Sequence, residues 1–493
     1  MYMWILMAVL YGINILSIIS IIFFEKRDMS TTFAWLLVLI FLPVIGFVMY
    51  FFFGSTKKLE VMSRKYRITR AEELYLHKKQ ELMQKSDPVD EILKDPENLL
   101  YRDMIQINSK NADCIFTENN NVKLLINGQQ KFPCMFEDIR KAKSSINVMY
   151  FIIKSRDGIG KEMIDILAKK AAEGIKVRVI FDGLGCLKTR KKDFDPIVEN
   201  GGEVQRFLPS MIRTIMLANY RLHRKMVVID GQVCYTGGIN VGDDYLGKYP
   251  KITPWRDTSV RITGSAVTEL QFLFFKDWVF CARQNRRSFY MKNIEEPEKQ
   301  PEEYFPGPEE PGVMGVQVIK YDPGNKYEAH KDSYVKMCTS AREYLYIQSP
   351  YFVPDQTLLE SIRMAAQAGT DVRLMLPGIA DKGFVYKVAM SYVEELLEAG
   401  VRVYTHEGFL HAKTVVIDDH VASVGTTNMD LRSFRLDYEV NTLVYSREFA
   451  IECRDTFLKD INDCKEIQLE EFKKRGKWEY IKESFCRFLI PLS

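Results

Sequence analysis

The sequence predicts two α/β domains with mixed β-sheets, related by internal duplication and preceded by an N-terminal transmembrane helical hairpin. Two uncharged apolar stretches open the chain, one order of helices and strands then occurs twice, and each copy ends in the same spaced polar residues. The 493 residues, 47% hydrophobic, suffice for several buried cores and exclude a disordered or collagenous chain. The net charge of +3 gives no basic field typical of nucleic-acid binding. The nine cysteines contain no C-x-x-C pair, so neither a disulfide framework nor a zinc ribbon is indicated.

The two opening stretches are each long enough to cross a bilayer as a helix. Residues 1–24 and 30–54 contain no charged side chain, and a bilayer core needs about 20 apolar helical residues. A cleaved signal peptide and a buried core helix are the alternatives, but the first stretch lacks a basic start and a small-residue cleavage site. Pro43 is expected to kink the second span. The short connection at 25–29 predicts a tight hairpin with both ends on one side.

Basic residues predict on which side of the membrane the rest of the chain lies. No Lys or Arg precedes the first span, and a cluster follows the second: Lys57, Lys58, Arg64, Lys65, Arg67 and Arg70. The positive-inside rule then places the bulk of the chain on the cytoplasmic side of the cell membrane. The basic stretch 57–85 either contacts anionic headgroups or forms a solvated stalk.

Composition divides the chain into five parts. We predict two transmembrane helices over 1–56, a polar basic linker or helix over 57–110, a first α/β domain over 111–291, a linker rich in Pro and Glu over 292–312 and a second α/β domain over 313–493.

The two domains repeat the same order of elements. FEDIRKAKSSINVMYFII precedes KEMIDILAKKAAEGIKVRVIFDG in the first, and YVKMCTSAREYLYIQSPYFV precedes TLLESIRMAAQAGTDVRLMLPG in the second. Each reads as helix, apolar strand, a second helix ended by Gly174 or Gly369, and a second strand. A short strand follows, and then two β-rich runs joined by a two-residue turn at 231–232 or 419–420. This order predicts mixed sheets.

Each copy ends in the pattern H-x-K-x-x-x-x-D, followed by Gly and Asn at fixed spacing. The residues are His223, Lys225, Asp230, Gly237 and Asn240 in the first copy, and His411, Lys413, Asp418, Gly425 and Asn428 in the second. Composition predicts about 0.1 chance occurrences of the bare pattern, and two occur at matched places. Because alternate strand residues share a face, the His and Lys of each copy point into one site.

Two histidines and two lysines suit displacement at a phosphodiester. One neutral imidazole attacks phosphorus and forms a phosphohistidine, while the other, protonated, gives a proton to the leaving alcohol. The lysines, helped by Asn240 and Asn428, would hold the nonbridging oxygens. Asp230 and Asp418 close strands before turns, so bracing of the motif and direct chemistry are equally open for them. No cofactor is expected, and metal is disfavoured because Lys stands where a ligand set needs His or a carboxylate.

The paired motifs with a trailing GxxN resemble the phospholipase D superfamily, and bacterial-type cardiolipin synthases are the closer match, over nearly the whole chain. The segments that carry the resemblance are STTFAWLLVLIFLPVIGFVMYFFFG, HRKMVVIDG, GGINVGDDY, WRDTSVRI, SPYFVPD, HAKTVVID and GTTNMDLRSF. Single-domain nucleases of the superfamily lack this apolar hairpin. Asp244 stands where a Glu is common, and Thr426 stands where hydrolases of the superfamily often have Ser.

The resemblance implies two phospholipase D-like domains and a reversible transfer of phosphatidyl from one phosphatidylglycerol to the hydroxyl of another, giving cardiolipin and glycerol. It also implies that Asp257 and Glu439 orient the histidines and that His223 is the nucleophile. The expected partners are phosphatidylglycerol and anionic membrane lipids, and no nucleic acid. A membrane-bound hydrolase or nuclease of the same superfamily is the enzymatic alternative. The other alternative, a lipid-binding scaffold without catalysis, is disfavoured by two intact motifs.

Two further segments mix apolar with basic residues. Residues 207–225 either form an interfacial loop or a buried helix. Residues 475–493 either lie on the bilayer or cap the second domain. The sequence leaves both choices open.

Overall fold

The computed structural model describes residues 2–25, 29–54, 101–208, 219–250, 253–284 and 305–490. Its helices are α1 (Tyr2–Phe24), α2 (Met29–Phe41), α3 (Pro43–Met49), α4 (Arg102–Asn111), α5 (Asn127–Lys141), α6 (Gly158–Ala172), α7 (Asp195–Glu199), α8 (Ala266–Gln284), α9 (Ala329–Ser340), α10 (Gln356–Gln367), α11 (Gly383–Glu398), α12 (Leu431–Arg435), α13 (Arg447–Asp460), α14 (Leu469–Lys473) and α15 (Lys477–Leu489). Most of the predicted linkers 57–110 and 292–312 lies outside the described residues, as does much of the predicted interfacial segment 207–225.

The strands of the first half are β1 (Phe116–Ile126), β2 (Ser145–Tyr150), β3 (Lys176–Asp182), β4 (Glu203–Phe207), β5 (Met226–Ile229), β6 (Val233–Gly237), β7 (Trp255–Arg256) and β8 (Thr258–Gly264). Those of the second half are β9 (Met314–Tyr321), β10 (Tyr344–Gln348), β11 (Phe352–Val353), β12 (Asp371–Pro377), β13 (Arg402–His406), β14 (Phe409–Leu410), β15 (Thr414–Ile417), β16 (Val421–Gly425), β17 (Met429–Asp430), β18 (Glu439–Tyr445) and β19 (Cys464–Glu466).

Fifteen of these strands form one continuous sheet whose two halves mirror each other. Outward from the centre the order is β1-β8-β6-β5-β2-β3-β4 on one side and β9-β18-β16-β15-β10-β12-β13-β19 on the other. The neighbours β2-β3-β4 and β10-β12-β13 are parallel, and the other pairs are antiparallel. The predicted pair of duplicated α/β halves with mixed sheets is therefore confirmed.

The halves meet where β1 pairs antiparallel with β9, with Phe116 opposite Gln317. Each of these is the first strand of its half and would otherwise leave an edge of unpaired backbone groups. The sequence predicted the two halves but not this joint, which satisfies both edges and fixes one half against the other.

Helices cover both faces of the joined sheet. Along β5, Met226 and Val228 pack into the core beneath α8 and α13, while Val227 and Ile229 pack into the core beneath α5 and α6. The second half has its own core beneath α9, α10 and α11. This alternation buries both faces, as expected for strands with continuous apolar sequence.

The N-terminal apolar stretches form helices that contact each other. The second stretch is divided at Pro43, where α2 ends and α3 begins. The Asn14 side chain on α1 donates to the Leu39 carbonyl at 2.9 Å. Within the described residues, no helix meets the length and hydropathy required to cross a membrane.

The predicted linker or helix over 57–110 ends in a helix, and two predicted turns are one residue longer than expected. The end of the predicted 57–110 linker forms α4, whose Met104 and Ile105 are buried in the core of the second half. The turns after β5 and β15 span three residues instead of two, because Asp230 and Asp418 adopt positive φ (54° and 50°) and leave the strands one residue earlier.

Candidate active site

Short parallel pairings between the halves place the two histidines. Strand β14, just before His411, pairs with β7, and the backbone N–H of His411 donates to the Arg256 carbonyl at 2.7 Å. Correspondingly, the N–H of His223 donates to the Tyr438 carbonyl at 3.0 Å. Each histidine is thus hydrogen-bonded to the residue that directly precedes the predicted carboxylate of the opposite half.

Each histidine is paired with a carboxylate from the opposite half. Nδ1 of His223 lies 2.8 Å from Oε1 of Glu439, and Nδ1 of His411 lies 2.7 Å from Oδ2 of Asp257. Both carboxylates are fully buried. A carboxylate at Nδ1 holds the ring proton there, which leaves Nε2 to attack phosphorus or to carry a proton.

Different neighbours fix the two carboxylates. The Thr426 hydroxyl donates to Oε2 of Glu439, whereas the Thr258 N–H donates to Oδ1 of Asp257 at 2.7 Å. Gly238 holds the position that matches Thr426, and a Cβ there would lie 2.1 Å from Oδ1 of Asp257. The first half therefore needs glycine at a position where the second half uses a hydroxyl.

Both motif lysines are buried beside their histidines. Nζ of Lys225 donates to the His223 carbonyl, and Nζ of Lys413 donates to the His411 carbonyl, each at 2.5 Å. Burial, together with the nearby charge of Lys413, lowers the pKa of Lys225 to about 7, and burial lowers that of Lys413 to about 8. An anion placed between them would restore both charges, so the site is built to receive one.

The imidazoles are neutral at physiological pH. Burial, reinforced by Lys225 and Lys413, holds the pKa of His223 well below its usual value, and burial together with Lys413 lowers that of His411 to about 4. Burial raises the pKa of Glu439 to about 7. Burial acts in the same direction on Asp257, but His411 and Lys413 outweigh it and leave its pKa lowered.

The two predicted phosphate-binding asparagines differ in their contacts. Both amide atoms of the Asn240 side chain form hydrogen bonds: Oδ1 accepts from the Ile152 N–H at 3.1 Å, and Nδ2 donates to the Tyr245 hydroxyl at 2.8 Å. Asn428 lines the cavity beside His223, and within the described residues its buried Oδ1 has no hydrogen-bond partner. Its Nδ2 donates one hydrogen to the Ser433 hydroxyl at 3.3 Å and has a second hydrogen for a ligand. Because Asn428 lies on the wall of this cavity and Asn240 does not, Asn428 is the better placed of the two to donate to a bound phosphate.

Asp230 and Asp418 lie at the ends of β5 and β15 away from the histidines. Asp230 accepts from the backbone N–H groups of residues 143–145 at 2.7–2.9 Å. Asp418 accepts from those of residues 342–344 at 2.8–2.9 Å. Of the two roles that the sequence left open for Asp230 and Asp418, these contacts favour bracing of the motif.

Two buried arginines support the site. Neither was assigned a role from the sequence. Arg224 pairs with Asp277 at 2.5 Å and with Asp322, and its Nε donates to the Glu439 carbonyl at 3.2 Å. Arg256, just before Asp257, pairs with Asp460 at 2.8 Å. A signal for Arg224 was available, because a charged residue between His and Lys on a buried strand requires buried partners.

A cavity of about 430 Å³ opens at His223. It combines cationic, anionic and apolar side chains from both halves: Phe151, Leu184, Arg221, His223, Tyr351, Val353, Lys382, Phe384, Val385, Asn428, Asp430, Leu431, Arg432, Asp437 and Ile490. Such a lining suits a ligand with an anionic group and apolar chains. In the described part of the chain, no three His, Cys, Asp or Glu side chains lie together as metal ligands.

Comparison with known proteins gives a family for this arrangement. The family model described as cardiolipin synthase, PLD-like domain, matches residues 135–251 and 334–461, and the phospholipase D-nuclease N-terminal model matches residues 12–55. The major cardiolipin synthase ClsA of Bacillus subtilis is 40% identical over 99% of both chains. Cardiolipin synthase of Listeria innocua is 38% identical over 99% of this chain and 98% of its own, and cardiolipin synthase 2 of Staphylococcus epidermidis is 39% identical over the same shares.

A solved structure shares the fold. Phosphatidylserine synthase of Haemophilus influenzae superposes with a TM-score of 0.58 at 15% identity, over 78% of this chain and 97% of its own. At this identity the likeness concerns the fold alone. With relatives about 40% identical over nearly their full length, the chain belongs to the cardiolipin synthase family of the phospholipase D superfamily.

Proposed function

We propose that this protein is a cardiolipin synthase that transfers a phosphatidyl group from one phosphatidylglycerol to the hydroxyl of another and releases glycerol. The observation that carries the proposal is the crossed pair of neutral imidazoles, His223 on Glu439 and His411 on Asp257, beside two buried lysines. Family membership supports a phosphatidyltransferase, and the apolar lining of the cavity supports a lipid substrate.

In the first step, Nε2 of His223 attacks phosphorus, and the bond between phosphorus and the oxygen of the headgroup glycerol breaks. His411 donates a proton to that oxygen, so glycerol leaves and phosphatidyl-His223 remains. The proton is available because an anionic phosphate beside His411 raises its pKa from about 4. The position of His223 on the cavity wall supports it as the nucleophile.

In the second step, the hydroxyl of another phosphatidylglycerol replaces glycerol. His411 takes its proton, the oxygen attacks phosphorus, and the nitrogen–phosphorus bond breaks to give cardiolipin. Lys225 and Lys413 stabilise the charge on the nonbridging oxygens in both transition states, and Asn428 adds an amide donor. Because both steps use the same groups, the transfer is reversible.

The two N-terminal apolar stretches form a transmembrane hairpin in this proposal. Its support is the absence of charge in 1–24 and 30–54, the contact of Asn14 with Leu39, and the basic residues that follow. The catalytic halves then lie on the cytoplasmic side of the cell membrane, where phosphatidylglycerol is both donor and acceptor.

Mass spectrometry of the products tests the function. The purified full chain, in vesicles without added metal, is given phosphatidylglycerol alone, next to His223→Ala, His411→Ala and the control His420→Gln, whose histidine lies in the turn after β15. Cardiolipin with stoichiometric glycerol, lost in the first two variants and kept in the control, is expected. Phosphatidic acid as the main product would show that the protein is a hydrolase. The absence of any lipid turnover would favour the alternative of a lipid-binding scaffold without catalysis.

A further inference from the structure

The last helix, α15, turns its large apolar side chains outward. Trp478, Ile481, Phe485 and Phe488 are 74, 51, 62 and 61% exposed. Their spacing of three, four and three residues puts them on one face of the helix. We call these four residues the aromatic stripe. Scattered apolar side chains are common at protein surfaces, but a contiguous stripe of this size marks an interaction site.

The inward face of α15 is already filled, and two of its side chains are charged. Glu483 is 4% exposed and accepts from both terminal nitrogens of Arg475 at 2.7 and 3.1 Å. The Arg487 guanidinium lies over the Tyr392 ring of α11 at 4.2 Å. A helix that packs through Glu and Arg while it exposes Trp and Phe is inverted relative to an ordinary surface helix. The aromatic stripe therefore has a partner other than the body of the protein.

The aromatic stripe lies next to the catalytic cavity. Ile490, directly after α15, lines that cavity, and so do Phe384 and Val385 at the start of α11, on which α15 packs. Phe384 and Leu184 on the cavity wall are themselves 40 and 37% exposed. The helix that carries the stripe therefore ends at the cavity that opens at His223, and exposed apolar side chains lie on the wall of that cavity.

The basic residues around α15 favour an anionic bilayer over a second copy of this chain as the partner of the stripe. Between Lys473 and Arg487 the chain has six basic and two acidic residues, and the acidic Glu483 is paired internally with Arg475. Basic residues flanking exposed Trp and Phe are typical of helices that lie in the interface of an anionic bilayer. A second copy of this chain would bring two such basic segments together.

We propose that α15 lies in the headgroup region of an anionic bilayer, with the aromatic stripe inserted, and holds the mouth of the catalytic cavity against the membrane. The lipid substrate then enters from the bilayer without passing through water. The proposal rests on the proposed function only in taking the substrate to be a membrane lipid.

Quenching of Trp478 by brominated lipid tests the insertion directly. The full chain and its Trp478→Phe variant are reconstituted in vesicles of phosphatidylcholine and phosphatidylglycerol, with and without bromine on the acyl chains. The emission of Trp478, obtained as the difference between the two proteins, is expected to be blue-shifted and to fall by more than half with brominated lipid. An unquenched emission at the wavelength of indole in water would overturn the proposal, and so would an unquenched, blue-shifted one, which would indicate a second copy as the partner.

Substrate form provides the second test. Phe485→Ser/Phe488→Ser is compared with Met364→Ser, a matched exposed apolar residue on α10. In phosphatidylcholine vesicles the double variant is expected to turn over vesicle-borne phosphatidylglycerol at least about tenfold more slowly, because two Phe rings no longer insert into the bilayer, and soluble dihexanoyl phosphatidylglycerol at the unchanged rate. Equal loss on both substrates, or no loss on either, would contradict the proposal. If the unmodified protein makes no cardiolipin from either substrate, the proposed function fails while the quenching result stands by itself.

Discussion

Nδ1 of His223 lies 2.8 Å from Oε1 of Glu439, a residue 216 positions later in the chain and on the other half of the molecule. His411 and Asp257 are related in the same way in the opposite direction. Neither half therefore contains a complete histidine–carboxylate pair, and each proposed catalytic histidine depends on the docking of both halves along β1 and β9.

The crossing predicts which step each carboxylate supports. Glu439→Gln is expected to lower kcat about 10³–10⁴-fold, because an amide favours the wrong tautomer of His223. A phosphatidyl ester of p-nitrophenol separates the steps, since this leaving group needs no acid. With it, Asp257→Asn and His411→Ala should keep the burst of nitrophenol, and Glu439→Gln should lose it.

The control for this experiment is Glu448→Gln, an exposed carboxylate on α13. Its burst should match that of the unmodified protein. A burst retained in Glu439→Gln and lost in Asp257→Asn would show that His411 is the nucleophile.

The lysines set the basic limb of the pH profile. The pKa values of Lys225 and Lys413, about 7 and about 8, lie below the usual value, so both amines lose their protons as the pH rises through this range. A neutral amine attracts phosphate weakly, and kcat/KM for phosphatidylglycerol is expected to fall above about pH 7 and more steeply above about pH 8. Lys413→Arg keeps its charge, so this variant should lose the steeper fall above about pH 8 and keep the fall due to Lys225, at lower overall activity. A kcat/KM that stays level to pH 10 in the unmodified protein would refute this.

Thr426 controls the acidic limb. Burial raises the pKa of Glu439 to about 7, and the charge of Lys225 and the Thr426 hydroxyl act against that rise. In Thr426→Val the pKa of Glu439 goes up further, so the carboxylate is lost at a higher pH, and kcat at pH 7 should drop about tenfold. Thr426→Ser restores the hydroxyl and should restore the profile. Equal profiles for the Val and Ser variants would remove Thr426 from this role.

If Asp230 and Asp418 brace the motif, their replacement should change the stability of the protein and not its catalytic rate. Asp230→Asn and Asp418→Asn weaken three backbone hydrogen bonds each and are expected to lower the free energy of unfolding by about 1–3 kcal/mol. Because neither residue contacts the histidines, kcat per folded molecule should stay within about twofold. Unfolding in detergent measures the free energy of unfolding, with Asp103→Asn at an exposed position as the control. A kcat loss of 100-fold at full stability would return these residues to the chemistry.

Much of the site could be predicted because it depends on local periodicity. A spacing of two residues predicted that His223 and Lys225 enter one site, and the same spacing predicted this for His411 and Lys413, although these residues lie just before β5 and β15 and not within them. For the same reason, the repeated helix and strand order predicted the mixture of parallel and antiparallel strands in each half.

The rest depends on contacts between distant segments. The exchange of Asp257 and Glu439 follows from the pairing of β7 with β14 and from the joint of β1 with β9, neither of which has a periodic signal. The bracing role of Asp230 depends on its positive φ, and the outward face of α15 depends on which side α11 covers. Sequence periodicity describes a face but does not say what that face meets.

The joint between the halves also sets an order in time. A ribosome adds about 5–20 residues per second, so Glu439 follows His223 into the chain by roughly 10–40 s. During that interval the growing chain, already in contact with the membrane through its first helices in our proposal, carries a histidine without the carboxylate that activates it. The nascent protein is therefore unable to cleave the lipids around it until synthesis is nearly complete.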